Sequence, residues 1–167
     1  MGEDTVLKAA GGFQEFYERN VELTYRMCLV YLRNQADAED AVQSVFLKYL
    51  QSPVAFSGRD HERAWLLTAA KNQCRDVLKS WWRRRRVDHD VLRGAAAGEE
   101  SGQADEILAA LLALPEKYRT VLYLHCIEGY SEREVAVLLG RNESTVRSQL
   151  LRGRRKLRDD LGGDGDD

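Results

Sequence analysis

Three cysteines, three histidines and two prolines are all that these 167 residues hold of those types. Cys28, Cys74 and Cys126 are odd in number, widely spaced and set in apolar patterns. They read as buried thiols of a protein kept in a reducing compartment, not as a disulfide framework. His61, His89 and His125 stand at no ligand spacing from them, so no metal site is expected. The chain has no charged-then-apolar leader and no apolar run of membrane-spanning length, which points to the cytoplasm. It also has no glycine-rich phosphate loop, nucleophile elbow or paired-carboxylate pocket. No cofactor is expected, and an enzyme is the class least supported. No alternating strand pattern survives along the chain, leaving an all-α fold.

Charge is present in quantity and unevenly placed. The formal net charge of -2 and a charged fraction of 31% conceal segregation. Residues 61–93 hold nine lysines and arginines against Glu62, Asp76, Asp88 and Asp90, while 141–158 hold seven against Glu143 alone. The stretch between them is acidic, as is the tail from Asp159. Two basic patches separated by acidic stretches imply two contacts with polyanions, because local potential outweighs the sum.

Helical spacing runs from Phe13 to Leu32, after a poorly patterned leader (Met1 to Gly12) expected to fray. The next helix, Asn34 to Leu50, turns Ala38, Val42, Val45, Phe46, Tyr49 and Leu50 toward a core. Asp37, Glu39 and Asp40 lie in its first turns, where carboxylates suit the positive helix end, with Gln43 or Ser44 on the exposed face. Pro53 and Gly58 mark a loop from Gln51 to His61. Glu62 to Trp82 forms a third helix. Trp65 reads as core, Lys71, Asn72, Arg75 and Lys79 point outward, and Trp81, Trp82 and Arg83 to Arg86 follow. Arginines beside aromatics suit single-stranded nucleic acid, on which bases stack and phosphates pair. Leu92 to Gln103 is small-residue and acidic, a flexible linker. Helices over Asp105–Leu114 and Glu116–Ile127 follow, broken by Pro115.

The segment Gly129 to Arg158 has the order of a helix-turn-helix. Ser131 and Glu134 form a capping box, and Val135, Ala136, Leu138 and Leu139 make an apolar face. Gly140 suits a left-handed stop, and Asn142 caps a second start. Val146, Leu150 and Leu157 turn inward on the second helix. Ser144, Thr145, Arg147, Ser148, Gln149, Arg152, Arg154, Arg155, Lys156 and Arg158 turn outward. Short polar groups followed by cations suit a helix entering a DNA major groove.

Together ADAEDAVQSVFLKYL, FSG, AWLLTAAKNQCRDVL with its arginine run, the linker and LPEKYRTVLYLHCIEGYSEREVAVLLGRNESTVRSQLLRGRRKL resemble the bacterial extracytoplasmic-function sigma factors, over Phe13 to Leu161. The resemblance implies two helical domains, 13–91 and 104–161, joined by a linker over 92–103. The first would bind RNA polymerase and the −10 promoter element, the second the −35 element. By matching position, Asp37, Glu39, Asp40, Gln43 and Phe46 fall in the block that docks on the β′ coiled coil of core polymerase. Phe56, Ser57, Arg59 and His61 fall where the family captures a flipped −10 base. Lys71, Asn72, Arg75, Lys79, Trp81 and Arg83 fall where it holds the melted strand. Thr145, Arg147, Ser148, Leu151 and Arg152, with Ser144 before them, match the −35-reading positions, while Arg154, Arg155 and Lys156 resemble phosphate contacts. The implied partners are core polymerase (β′ coiled coil and β flap), promoter DNA both duplex and melted, and an anti-sigma factor.

Two departures from the family stand out. Thr68 replaces a commonly basic residue, and Leu151 replaces bulkier or polar ones. The chain ends in GGDGDD soon after Leu161, so no C-terminal sensory domain is expected. The alternatives are a stand-alone helix-turn-helix regulator, which would bind a palindromic duplex unaided, and a polymerase-binding adaptor that reads no promoter.

Overall fold

The computed structural model describes residues 2–85 and 103–162, and every regular element among them is helical. The chain divides into two compact units, with the division between Trp81 and Trp82. The linker expected over 92–103 lies outside the described residues except for Gln103, which opens a helix.

The first unit holds α1 (Gly2–Leu32), α2 (Gln35–Gln51) and, as far as Trp81, α3 (Arg59–Arg85). The leader expected to fray is instead helical from Gly2, in a segment with no proline to stop it. α1 ends where Arg33 takes the left-handed conformation (φ 59°), its N–H bonded to Leu29 O at 2.8 Å. Asn34 follows at once with extended backbone, its side chain accepting from the Asp37 N–H at 3.0 Å. This two-residue corner folds α2 back onto α1. Met27, Tyr31, Val45, Leu66, Leu67, Ala70 and Cys74 form the core. The apolar surplus on α1 is thereby covered from two sides.

An aromatic cluster closes one end of this unit. Phe16 and Tyr49 stack at 4.2 Å, Phe46 meets Phe16 edge-on at 5.7 Å, and Phe56 stacks on Phe16 at 5.9 Å. Trp65 packs against Tyr49 and Phe56, half-buried. Such pairs add about 0.5–1.5 kcal/mol each beyond burial. Leu50, expected in the core, is 48% exposed: at helical spacing it falls beside Gln43 and Leu47, away from α1.

The second unit holds α4 (Gln103–Ala113), α5 (Glu116–Leu122), a π-helical turn (Tyr123–Ile127), α6 (Glu132–Leu139) and α7 (Glu143–Leu161). Arg119, 4% exposed, donates through Nη1 to Leu114 O at 2.7 Å and so satisfies a carbonyl at the α4–α5 corner. The single helix expected over Glu116–Ile127 becomes π-helical at Tyr123, where the Glu128 N–H reaches Tyr123 O. The wider turn rotates later side chains out of register. Tyr123 and Leu124 stay buried, whereas Ile127 is 52% exposed and Cys126 is exposed, against the expectation of a buried thiol. α7 lies against α5 at Gly153. A Cβ there would come within 3.1 Å of Tyr118 Cβ and 3.0 Å of Leu122 Cδ1, so a larger residue fits only if these neighbours give by a few tenths of an ångström.

Candidate nucleic-acid interface

The helix-turn-helix is built by local signals. Ser131 Oγ accepts from the Glu134 N–H and Glu134 Oε1 accepts from the Ser131 N–H, both at 3.1 Å, completing the capping box. These bonds hold the Glu134 carboxyl below its ordinary range. Gly140 sits at φ 66°, and the Arg141 N–H closes back on Ala136 O at 2.9 Å. Asn142 occupies the N-cap position with extended backbone, but its side chain makes no capping bond, in contrast to the expectation.

On α7, Val146, Leu150 and Gly153 are buried and Leu157 is half-buried. Ser144, Thr145, Arg147, Ser148, Leu151, Arg152, Arg154, Arg155 and Lys156 are all exposed along the other side. Leu151 is 54% exposed, an apolar surface amid these polar groups. Lys156 also lies 6.0 Å from the Tyr118 ring centroid. Arg141 is spent differently. Its guanidinium donates to Lys117 O, Gln149 Oε1 and Thr120 Oγ1, bracing α5 against α7, so part of the sequence's basic patch is scaffold.

Arg147 is held on both sides by carboxylates. Its Nε donates to Glu132 Oε2 at 3.0 Å, and its Nη2 lies 3.5 Å from Glu143 Oε1. Nothing in the sequence pattern indicates the first contact, because it spans the turn.

In the first unit the residues at the −10-matching positions surround the start and outer face of α3. The Ser57 N–H donates to His61 Nδ1 at 3.1 Å, which closes the loop into α3. Ser57, Arg59 and His61 are exposed, whereas Phe56 is engaged in the aromatic cluster and forms the loop's inner wall. Thr68, Lys71, Arg75 and Lys79 recur at helical spacing, with Asn72 beside them and Arg83 exposed beyond. Of the adjacent tryptophans, Trp82 is 66% exposed and continues this stripe along α3, whereas Trp81 is half-buried, at helical spacing from Ala70 and Cys74. Trp82 therefore replaces Trp81 as the exposed aromatic.

At the start of α3, Glu62 is buried beneath this loop. Both its oxygens accept from Arg19, and Asn20 Nδ2 also donates to it. This network escaped the sequence reading, which counted Glu62 only as a charge.

On α2, Glu39, Asp40 and Gln43 are exposed and Asp37 is partly so. Phe46 is not on that face. It is 3% exposed and packed among Phe13, Phe16 and Tyr17, so its place is the core. Leu47, 56% exposed, with Leu50, extends the carboxylate face instead.

No helix among the described residues is long and apolar enough to cross a membrane. Nor do they include a His, Cys, Asp and Glu group that could hold a metal ion.

These features define an all-helical protein with a helix-turn-helix carrying an exposed cationic helix. Comparison with known proteins carries this further. Residues 16–86 match the family model Sigma-70 region 2, and residues 104–157 match Sigma-70, region 4. The RNA polymerase sigma factor CarQ of Myxococcus xanthus is 30% identical over 162 residues, covering 92% of this chain and 91% of that one. The sigma factor SigV of Bacillus subtilis is 28% identical over 135 residues, covering 80% and 81%. The solved structure of the sigma factor RpoE with the anti-sigma factor NepR from Bartonella quintana shares the fold. Its TM-score is 0.78 at 21% identity, over 92% of this chain and 98% of that one. The chain belongs to the extracytoplasmic-function group of sigma-70 family RNA polymerase sigma factors. It is a factor that directs polymerase to promoters to initiate transcription.

Proposed function

We propose that the two units divide promoter recognition between them, with 13–91 acting as the polymerase and −10 domain, 92–103 as linker and 104–161 as the −35 domain. The exposed acidic face of α2, Asp37, Glu39, Asp40 and Gln43, latches onto the β′ coiled coil of core polymerase. The second unit meets the β flap and inserts α7 into the major groove. Ser144, Thr145, Arg147, Ser148, Leu151 and Arg152 face bases, and Arg154, Arg155 and Lys156 hold phosphates. Ser57, Arg59 and His61 take a flipped −10 base, and Lys71, Asn72, Arg75, Lys79, Trp82 and Arg83 hold the melted strand. Binding only the opened form pulls the melting equilibrium toward it. The protein performs no covalent step itself, works in the cytoplasm, and is restrained by an anti-sigma factor.

The observation that carries this reading is the buried seam of Val146, Leu150 and Gly153 on α7, which leaves Ser144, Thr145, Arg147, Ser148, Leu151, Arg152, Arg154, Arg155 and Lys156 exposed. Transcription in vitro with purified core polymerase tests it. Initiation from defined start sites, dependent on this chain, is expected. Binding to a palindromic duplex with no start sites would overturn it.

A further inference from the structure

Glu132 is the first residue of α6 and Glu143 the first of α7, so two carboxylates stand at the helix starts flanking Arg147. A guanidinium carries five N–H donors in a fixed fork. Here Nε–H is taken by Glu132 at 3.0 Å, and Nη2 is drawn toward Glu143 at 3.5 Å. The end-on edge, made of one hydrogen of Nη1 and one of Nη2, is a different edge from the one Nε presents to Glu132. The end-on edge can match the paired O6 and N7 acceptors of a guanine in the major groove. The Arg147 side chain is 62% exposed and long, so without a partner it would sample many directions.

We propose that Glu132 is a positioning residue for promoter specificity, holding Arg147 by Nε so that its Nη1–Nη2 edge faces the base. The inference rests on Arg147 being a base contact. Glu132 touches no base itself. It works by removing alternative orientations of Arg147, including those in which the Nε–Nη2 edge would pair with a phosphate. The flanking carboxylates have a second effect: they place negative charge where DNA phosphates approach, which weakens binding that is not compensated by a base contact. Discrimination is raised and sequence-independent affinity lowered by the same residue.

The test uses the full chain reconstituted with core RNA polymerase on a promoter library randomised across the upstream element, with random duplex as competitor. In Glu132→Ala, preference at the base read by Arg147 should fall about three- to tenfold while random duplex competes better. Glu132→Gln removes the same charge but keeps an oxygen acceptor for Nε–H. It should retain most of the preference while showing the same gain in competition, which separates orientation from charge. The Ser131–Glu134 capping box is untouched in both, and circular dichroism checks the fold. Unchanged preference in Glu132→Ala, with preference lost in Arg147→Ala, would overturn the positioning role alone. Preference retained in Arg147→Ala would overturn the base contact and the positioning role with it.

Discussion

Glu62 accepts from Arg19 through both carboxylate oxygens, with Nε and Nη2 each 2.8 Å away. The pair joins α1 to the first turn of α3, directly beneath the loop that ends at His61. Asn20 completes it, donating both to Glu62 and to Phe16 O. The hydrogen bond from Arg19 holds the Glu62 carboxyl below its ordinary value against the opposing effect of burial, with Asn20 assisting.

Because the folded-state value is depressed, the unfolded chain binds the proton more readily. The pair's contribution to stability is present above the unfolded carboxylate value and is lost as pH falls through the folded one. Urea unfolding of the full chain from about pH 5 downward should therefore show a steeper loss in the natural protein than in Glu62→Gln. Arg19→Ala should cost about 2 kcal/mol at neutral pH. That is less than a fully buried pair loses, because the arginine side chain is 39% exposed. Equal slopes in the natural protein and Glu62→Gln would refute the linkage.

Gly153 predicts the behaviour of the second unit. Gly153→Ala gains about 1 kcal/mol of helix propensity but presses on Tyr118 Cβ, so its net effect on stability should be small. Gly153→Leu has no room to turn and should destabilise by about 1–3 kcal/mol. Thermal unfolding of the two variants checks this. A leucine variant as stable as the natural protein would show that α7 does not need its close approach to α5.

What was legible in the sequence, and what was not, follows from the range of the interactions. The capping box at Ser131, the left-handed Gly140 and the inward Val146 and Leu150 are fixed by neighbours within a few residues, so pattern alone found them. Glu62 with Arg19, Arg141 with Thr120 and Gly153 against Tyr118 join residues far apart, where no periodicity reports them. Cys126 was misplaced because the π-helical turn breaks the period on which burial was judged. Phe46 shows a different limit: family position assigns it to a docking block, yet the same helix spacing puts it in the aromatic core. Asn142 has the right residue type for a cap and the right backbone, but not the bond.

The acidic face of α2 should be separable from the fold. Asp40 is exposed and Asp37 half-exposed, so reversing both to lysine mainly removes favourable helix-dipole contacts, about 0.3–1 kcal/mol each. The Asp37→Lys, Asp40→Lys variant should keep its helical circular dichroism and lose co-purification with core polymerase. Retained co-purification would place the docking face elsewhere.

Arg155 should behave unlike Arg147. It is exposed two turns further along α7, and among the described residues no carboxylate contact like that of Arg147 constrains it toward one edge. A phosphate contact carries no sequence information, but it releases a counterion when it forms. Arg155→Ala should weaken holoenzyme binding evenly across a promoter panel and reduce the salt slope of log K by about 0.9. Arg147→Ala should instead change preference at one base by about 1–3 kcal/mol of discrimination. A changed base preference in Arg155→Ala with an unaltered salt slope would place Arg155 at a base edge and shift the reading end of α7 toward its C-terminus.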